Sequence, residues 1–150
     1  MLVIGFAEKL DLKQVAELSK MFEEEKCCNG IKSDSEMFFK NKNVCVAKLD
    51  NMIIGYCYGT VETKKRNTTY YNEGDKSFYI EEIYIREEFR DKEIGSKLFK
   101  FIENYAKSLN CTILETTAVS KDYKKLLKFY INNHDMEFWS ANLIKKIWYD

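Results

Sequence analysis

The sequence predicts one α/β (α+β) domain with a mixed, mostly antiparallel central sheet and helices on both faces. Three observations predict it. The 150 residues suit a single domain, 1–150, with no length left for a second. Hydrophobic residues at 45% and aromatics at 15% supply a core, and a chain this size buries roughly 68–70% of its unfolded surface. Apolar periodicity gives the order β-α-α-β-β-β-α-β-α-β-β, in which a run of strands precedes an alternation of strand and helix.

The elements follow in order. With no proline and six glycines, hydrophobic period carries most of the reading. Residues 2–6 form an opening strand. Leu12, Val15, Ala16, Ser19 and Phe22 recur at helical spacing, with Asp11 placed to cap the helix. That helix ends at Glu23-Glu24-Glu25, before a loop around Asn29-Gly30. A short helix is predicted over 34–40, capped by Ser33. Strands 44–49 and 52–61 flank Asp50-Asn51, a two-residue hairpin signal. Residues 62–77 are polar and read as loop or strand ends, and 77–85 is a strand rich in aromatic and β-branched residues. After the charged, aperiodic stretch 86–93, Ile94, Leu98, Phe101, Ile102, Tyr105, Ala106 and Leu109 mark one face of a long helix. A strand over 111–119 and a helix carrying Tyr123, Leu126, Leu127, Tyr130 and Ile131 come next. Residues 136–139 and 141–148 are predicted as a closing pair of strands.

Composition excludes some functions. Twenty-four basic and 24 acidic residues cancel, so no global field favours nucleic acid or anionic lipid. Five cysteines without a CxxC pair, beside one histidine, argue against a metal site and for reduced thiols in a cytoplasmic protein. The apolar start is too short for a secretory signal, and nothing approaches the ~20 apolar residues of a membrane span.

The chemistry concentrates in Tyr79-Ile80-Glu81-Glu82-Ile83-Tyr84-Ile85 and, after a charged turn, Arg90-Asp91-Lys92-Glu93-Ile94-Gly95-Ser96. A strand here runs through a turn into a helix start, whose unpaired N–H groups and positive dipole end suit a phosphate. Gly95 lets a ligand approach the backbone closely. The alternative is a structural glycine at a strand-to-helix turn.

This stretch resembles the GNAT acetyltransferase signature, an apolar strand end followed by [RQ]-x-x-G-x-[GA]. The strand text is similar to that of members acetylating polyamines or aminoglycosides. Leu127-Lys128-Phe129-Tyr130-Ile131 looks like the family's second coenzyme A motif. Two positions depart: Glu93 stands at the first signature glycine, and Tyr123 where an asparagine commonly meets the cofactor.

The resemblance implies acetyl transfer from acetyl-CoA to a primary amine, in a ternary complex and without a metal. It implies that the backbone of Ile83, Tyr84 and Ile85 holds the pantetheine arm, and that residues Arg90, Asp91, Lys92, Glu93, Ile94, Gly95 and Ser96, with Tyr123, hold the rest of the cofactor. It implies Tyr130 as the proton donor to the departing thiolate, where the alternative is a core aromatic. Glu81 is the first choice for amine binding or proton removal, and Glu82 the second. Consecutive strand residues point to opposite faces, so only one is expected at the acceptor unless the strands splay.

A small cationic amine is the expected partner, and a homodimer could pair through the C-terminal strands. A GNAT-like domain that binds acyl-CoA or a protein without catalysis is the competing reading. Glu23-Glu24-Glu25 could select a cation or form a solvated face, and His134 reads as a surface histidine.

Overall fold

The computed structural model describes residues 1–148. Five strands, β1 (Leu2–Phe6), β2 (Cys45–Leu49), β3 (Met52–Thr63), β4 (Lys76–Ile85) and β5 (Ile113–Thr116), form one sheet in the order β1-β2-β3-β4-β5. The first three junctions are antiparallel, and β4 pairs β5 in parallel. A parallel pair needs a crossover, supplied by helix α3 (Ile94–Ser108).

Each face of the sheet carries its own core. On one side α1 (Leu12–Glu25) and α2 (Glu36–Phe39) pack Leu12, Val15, Leu18, Phe22 and Phe39 on Val46, Ile53, Tyr56, Tyr58 and Tyr84. On the other, Ile94, Leu98, Phe99, Ile102 and Ala106 of α3 cover Cys57, Phe78 and Ile80, together with Tyr130. Tyr130 belongs to a wide π-helical turn, Lys128–Asn133, that continues α4 (Tyr123–Leu127). The predicted sandwich of helices around a mixed sheet is therefore present.

Local differences have physical causes. Asp11 does not cap α1 through its side chain; its carboxylate accepts the Glu8 N–H at 3.0 Å and pairs with Lys48 at 2.7 Å. The cap of α2 is Ser35, whose Oγ accepts the Phe38 N–H at 3.3 Å, rather than Ser33. The polar stretch 62–77 yields its ends to the sheet, since β3 runs to Thr63 and β4 starts at Lys76. The predicted strand 111–119 shortens to four residues.

The closing strands do not form among the described residues: 136–148 carry no strand. A two-stranded hairpin is marginal alone, and no part of this tail pairs with the sheet. Trp139 instead leans on Tyr70 and Tyr71, with ring centres 5.8 and 6.2 Å away. Leu143, Ile144, Ile147 and Trp148 stay exposed. No helix among the described residues is long and apolar enough to cross a membrane.

Candidate active site

The site begins with a misfit in the sheet. Along β3 and β4 the register pairs Tyr58 with Glu82 but Gly59 with Ile80, leaving Glu81 as an extra residue. Such a bulge shifts the alternation of side chains. Phe78 and Ile80 face the α3 core, while Tyr84 faces the α1 core. Gly59 is required for this: a Cβ there would lie 2.2 Å from the Tyr79 carbonyl oxygen.

The bulge brings the two glutamates together, against the expectation of opposite faces. Glu82 accepts the phenol hydrogen of Tyr56. Glu81 accepts the Thr60 hydroxyl at 3.3 Å and pairs with Lys42 at 3.8 Å. Tyr56, Tyr58 and Thr60 share parity along β3, so both carboxylates reach the α1–α2 side. Burial raises the pKa of Glu82 above the ordinary 4.5; the Tyr56 hydrogen bond opposes the rise, and the Asp34 and Glu81 charges add to it. Asp34, beside Tyr58, is raised by burial as well, with the Glu81 charge adding to the rise and Tyr58 and Lys42 opposing it. The sequence reading missed Asp34, Lys42, Tyr56, Tyr58 and Thr60. Gly59, a glycine inside a strand pattern, was the available signal for the bulge.

Beyond Ile80 the sheet forks. The last β4–β5 pair is Ile80–Thr116, and β4 continues alone on that side to Ile85. Thr116 Oγ1 donates to the Ile80 carbonyl at 3.1 Å, and the Tyr130 phenol lies within interaction range of Thr116. Tyr130 therefore meets the sheet one residue before the glutamates. It is 5% exposed, and burial raises its pKa above the ordinary 10.0, which keeps the phenol neutral. The Cys28 thiol lies within electrostatic reach of both Glu82 and Tyr130.

The backbone edge of Ile83, Tyr84 and Ile85 leads from the fork to the start of α3. Arg90 locks this turn: its Nε donates to the Ile85 carbonyl at 2.9 Å, and its Nη2 lies 2.8 Å from both Glu25 oxygens. Tyr84 also donates to Glu25. The Arg90 side chain is thus a brace between β4 and α1. Glu23 is likewise engaged, by the Ser33 N–H and Lys32, and Glu24 pairs with Lys20, so the acidic run is spent on internal partners.

Asp91 (φ 59°) and Glu93 (φ 60°) both adopt the left-handed region before the helix. That conformation explains why glycine suits position 93, since it costs a residue with a Cβ about 1–2 kcal/mol. Asp91 pairs with Lys125 of α4 at 3.2 Å, and Lys92 donates to the Glu88 carbonyl. The N–H groups of Ile94, Gly95 and Ser96 open α3. A Cβ on Gly95 would stand 3.6 Å from the Phe129 ring, ordinary contact. Packing of the chain therefore does not demand a glycine there. Tyr123 is exposed at the start of α4. His134 is not a free surface residue: it hydrogen-bonds Ser96 Oγ at 3.0 Å and lies 4.2 Å from the Phe99 ring centre. Burial lowers its pKa.

A mixed sheet that forks beside a helix start, with helices on both faces, defines a class, the acetyltransferase fold. The model of the acetyltransferase (GNAT) family matches residues 11–133, and the chain belongs to that family. No curated protein matches the chain in sequence. Solved structures share the fold at low identity. An aminoglycoside acetyltransferase from an uncultured soil metagenomic sample, in complex with sisomicin, is 19% identical with a TM-score of 0.70, covering 97% of this chain and 96% of its own. An aminoglycoside N-acetyltransferase in complex with CoA is 13% identical with a TM-score of 0.72, covering 98% and 95%. Glucosamine-6-phosphate N-acetyltransferase from Arabidopsis thaliana is 18% identical with a TM-score of 0.67, covering 98% and 99%.

Proposed function

We propose that this chain transfers the acetyl group of acetyl-CoA to a small cationic primary amine by direct attack in a ternary complex. The fork itself carries the reading: Glu81 and Glu82 lie beside the last β4–β5 pair on the α1–α2 side, and Tyr130 packs in the α3 core on the other side. The family and the acetyltransferases sharing the fold support the reaction class.

The open edge of Ile83, Tyr84 and Ile85 suits a pantetheine arm, held as an added strand would be. The N–H groups of Ile94, Gly95 and Ser96 suit the pyrophosphate, with Asp91 and Glu93 shaping the turn, Lys92 nearby and Tyr123 at the rim. Bound acetyl-CoA supplies an activated acetyl thioester. Glu82 removes the proton that an ammonium must lose before its nitrogen can attack. Its buried, raised pKa matches that task better than a fully solvated carboxylate would. Glu81, with Thr60, holds the cationic acceptor. The order of the two glutamates set by sequence is thus exchanged. Tyr130, kept neutral by burial, gives its proton to the departing sulfur.

Incubation with acetyl-CoA and a panel of primary amines should release free thiol. Absence of release across the panel, with acetyl-CoA binding intact by calorimetry, would favour the non-catalytic reading instead. The exposed apolar tail supports a homodimer, which light scattering of the full chain checks.

A further inference from the structure

Beside the proposed acceptor end stands a cation that the reaction does not use. Lys42 follows α2, and its Nζ stands 5.1 Å from the ring centre of Phe38 and 5.9 Å from that of Tyr58. Glu81 Oε2 is 3.8 Å away, and the Lys42 side chain is only 25% exposed. The Asp34 carboxyl feels both Lys42 and Glu81. Burying an ammonium is costly unless its surroundings replace water; two ring faces and a carboxylate do so here. The seat is aromatic as well as acidic, and an ammonium already occupies it.

Next to this seat lies the Glu82–Tyr56 pair. Glu82 and Glu81 are consecutive on β4, with Cα atoms about 3.8 Å apart, and both carboxylates reach this face, so the Glu82 carboxylate and the seat adjoin within the reach of one short alkyl diamine. Lysine has a flexible stem of four carbons, and loss of its seat requires only rotamer changes.

We infer that Lys42 is a resident cation that competes with the second ammonium of a diamine acceptor, and so sets specificity between diamines and monoamines. The reacting nitrogen goes to Glu82, while the distal ammonium takes the Phe38–Tyr58–Glu81 seat and drives Lys42 into solvent. This inference rests on the amine-acceptor reading, but binding alone tests it.

The experiment is calorimetric titration of 1,5-diaminopentane and of pentylamine into the full chain without an acetyl donor, comparing wild type with Lys42→Met. Lys42→Met should tighten diamine binding about tenfold and change pentylamine binding by less than about twofold. Equal diamine affinity in both proteins, an equal gain for both amines, or no diamine binding to either protein overturns the inference. A second measurement needs no variant: with limiting acetic anhydride and peptide mass spectrometry, the labelling of Lys42 relative to the exposed Lys20 and Lys100 should rise several-fold when 1,5-diaminopentane is present, the ratio cancelling the anhydride that the diamine consumes. An unchanged ratio overturns the inference. A Lys42 effect on binding without any acetyl transfer would remove the proposed reaction and keep the seat. Acetyl transfer with no Lys42 effect would do the reverse.

Discussion

The two ends of the β4 fork are built in opposite ways. The proposed cofactor end runs through residues 83–96 in one continuous stretch, and it offers backbone groups on a strand edge and a helix start. The proposed acceptor end is made of side chains from β3, β4 and the loops around α2, with Asp34, Lys42, Tyr56, Tyr58, Thr60, Glu81 and Glu82 drawn together. A backbone site tolerates side-chain change but depends on φ and ψ. A side-chain site tolerates backbone variation but depends on register, and here the register depends on one bulge. Substitutions at the two ends should therefore fail in different ways.

The largest effects belong to the groups proposed to move protons. Tyr130→Phe should lower turnover about 100-fold while acetyl-CoA affinity changes by less than about twofold; steady-state rates and calorimetry read the two separately. Equal turnover in both proteins would remove the phenol from the reaction.

Glu82→Gln should cost a similar factor and also alter the pH profile. The wild-type rate should rise with pH as Glu82, its pKa raised above 4.5, loses its proton, and this limb should vanish in the variant. The stability effect runs the other way. Because the folded chain holds this proton more tightly, the contribution of Glu82 is present below about 4.5 and is lost as pH rises through the raised value.

Gly59→Ala tests the bulge itself. The added Cβ collides with the Tyr79 carbonyl, and the variant should lose about 1–3 kcal/mol in denaturant melts. It should also weaken amine binding more than cofactor binding. An equal loss at both ends would mean that the bulge serves the whole sheet rather than the acceptor.

At the cofactor end, Glu93→Gly should stabilise the chain by about 1 kcal/mol, because glycine adopts φ 60° without steric cost. Removing that negative charge should also tighten acetyl-CoA binding, as calorimetry can show. An unchanged affinity would mean that the turn accepts a glutamate without penalty to the ligand.

The smallest effect concerns His134. Its folded-state pKa is lowered from 6.5 by burial, so its contribution to stability is present above about 6.5 and lost as pH falls through the lowered value. Thermal melts across that range should flatten in His134→Gln. An identical pH dependence would assign the loss to other groups.

The sequence by itself determined the two-faced sheet, the helix faces and the cofactor end. These depend on local periodicity and on a contiguous run: Leu98, Ile102 and Ala106 fall on one face of α3 by spacing alone, and Arg90 to Ser96 adjoin in the chain. Even the signature's preference for glycine at position 93 follows from a single φ angle, which Glu93 adopts at a steric cost. Tertiary structure decided the acceptor end. Whether Glu81 and Glu82 share a face depends on where β3 slips against β4, and that depends on how closely the Tyr79 carbonyl can approach Gly59. It also decided the tail: residues 136–148 have the composition of strands, but strands form only where an edge accepts them, and none does here among the described residues. Spacing along a chain reports which side chains share a face of one element. The pairing of elements separated by tens of residues is set by packing, and the side chains proposed to meet the acceptor at this fork come from such elements.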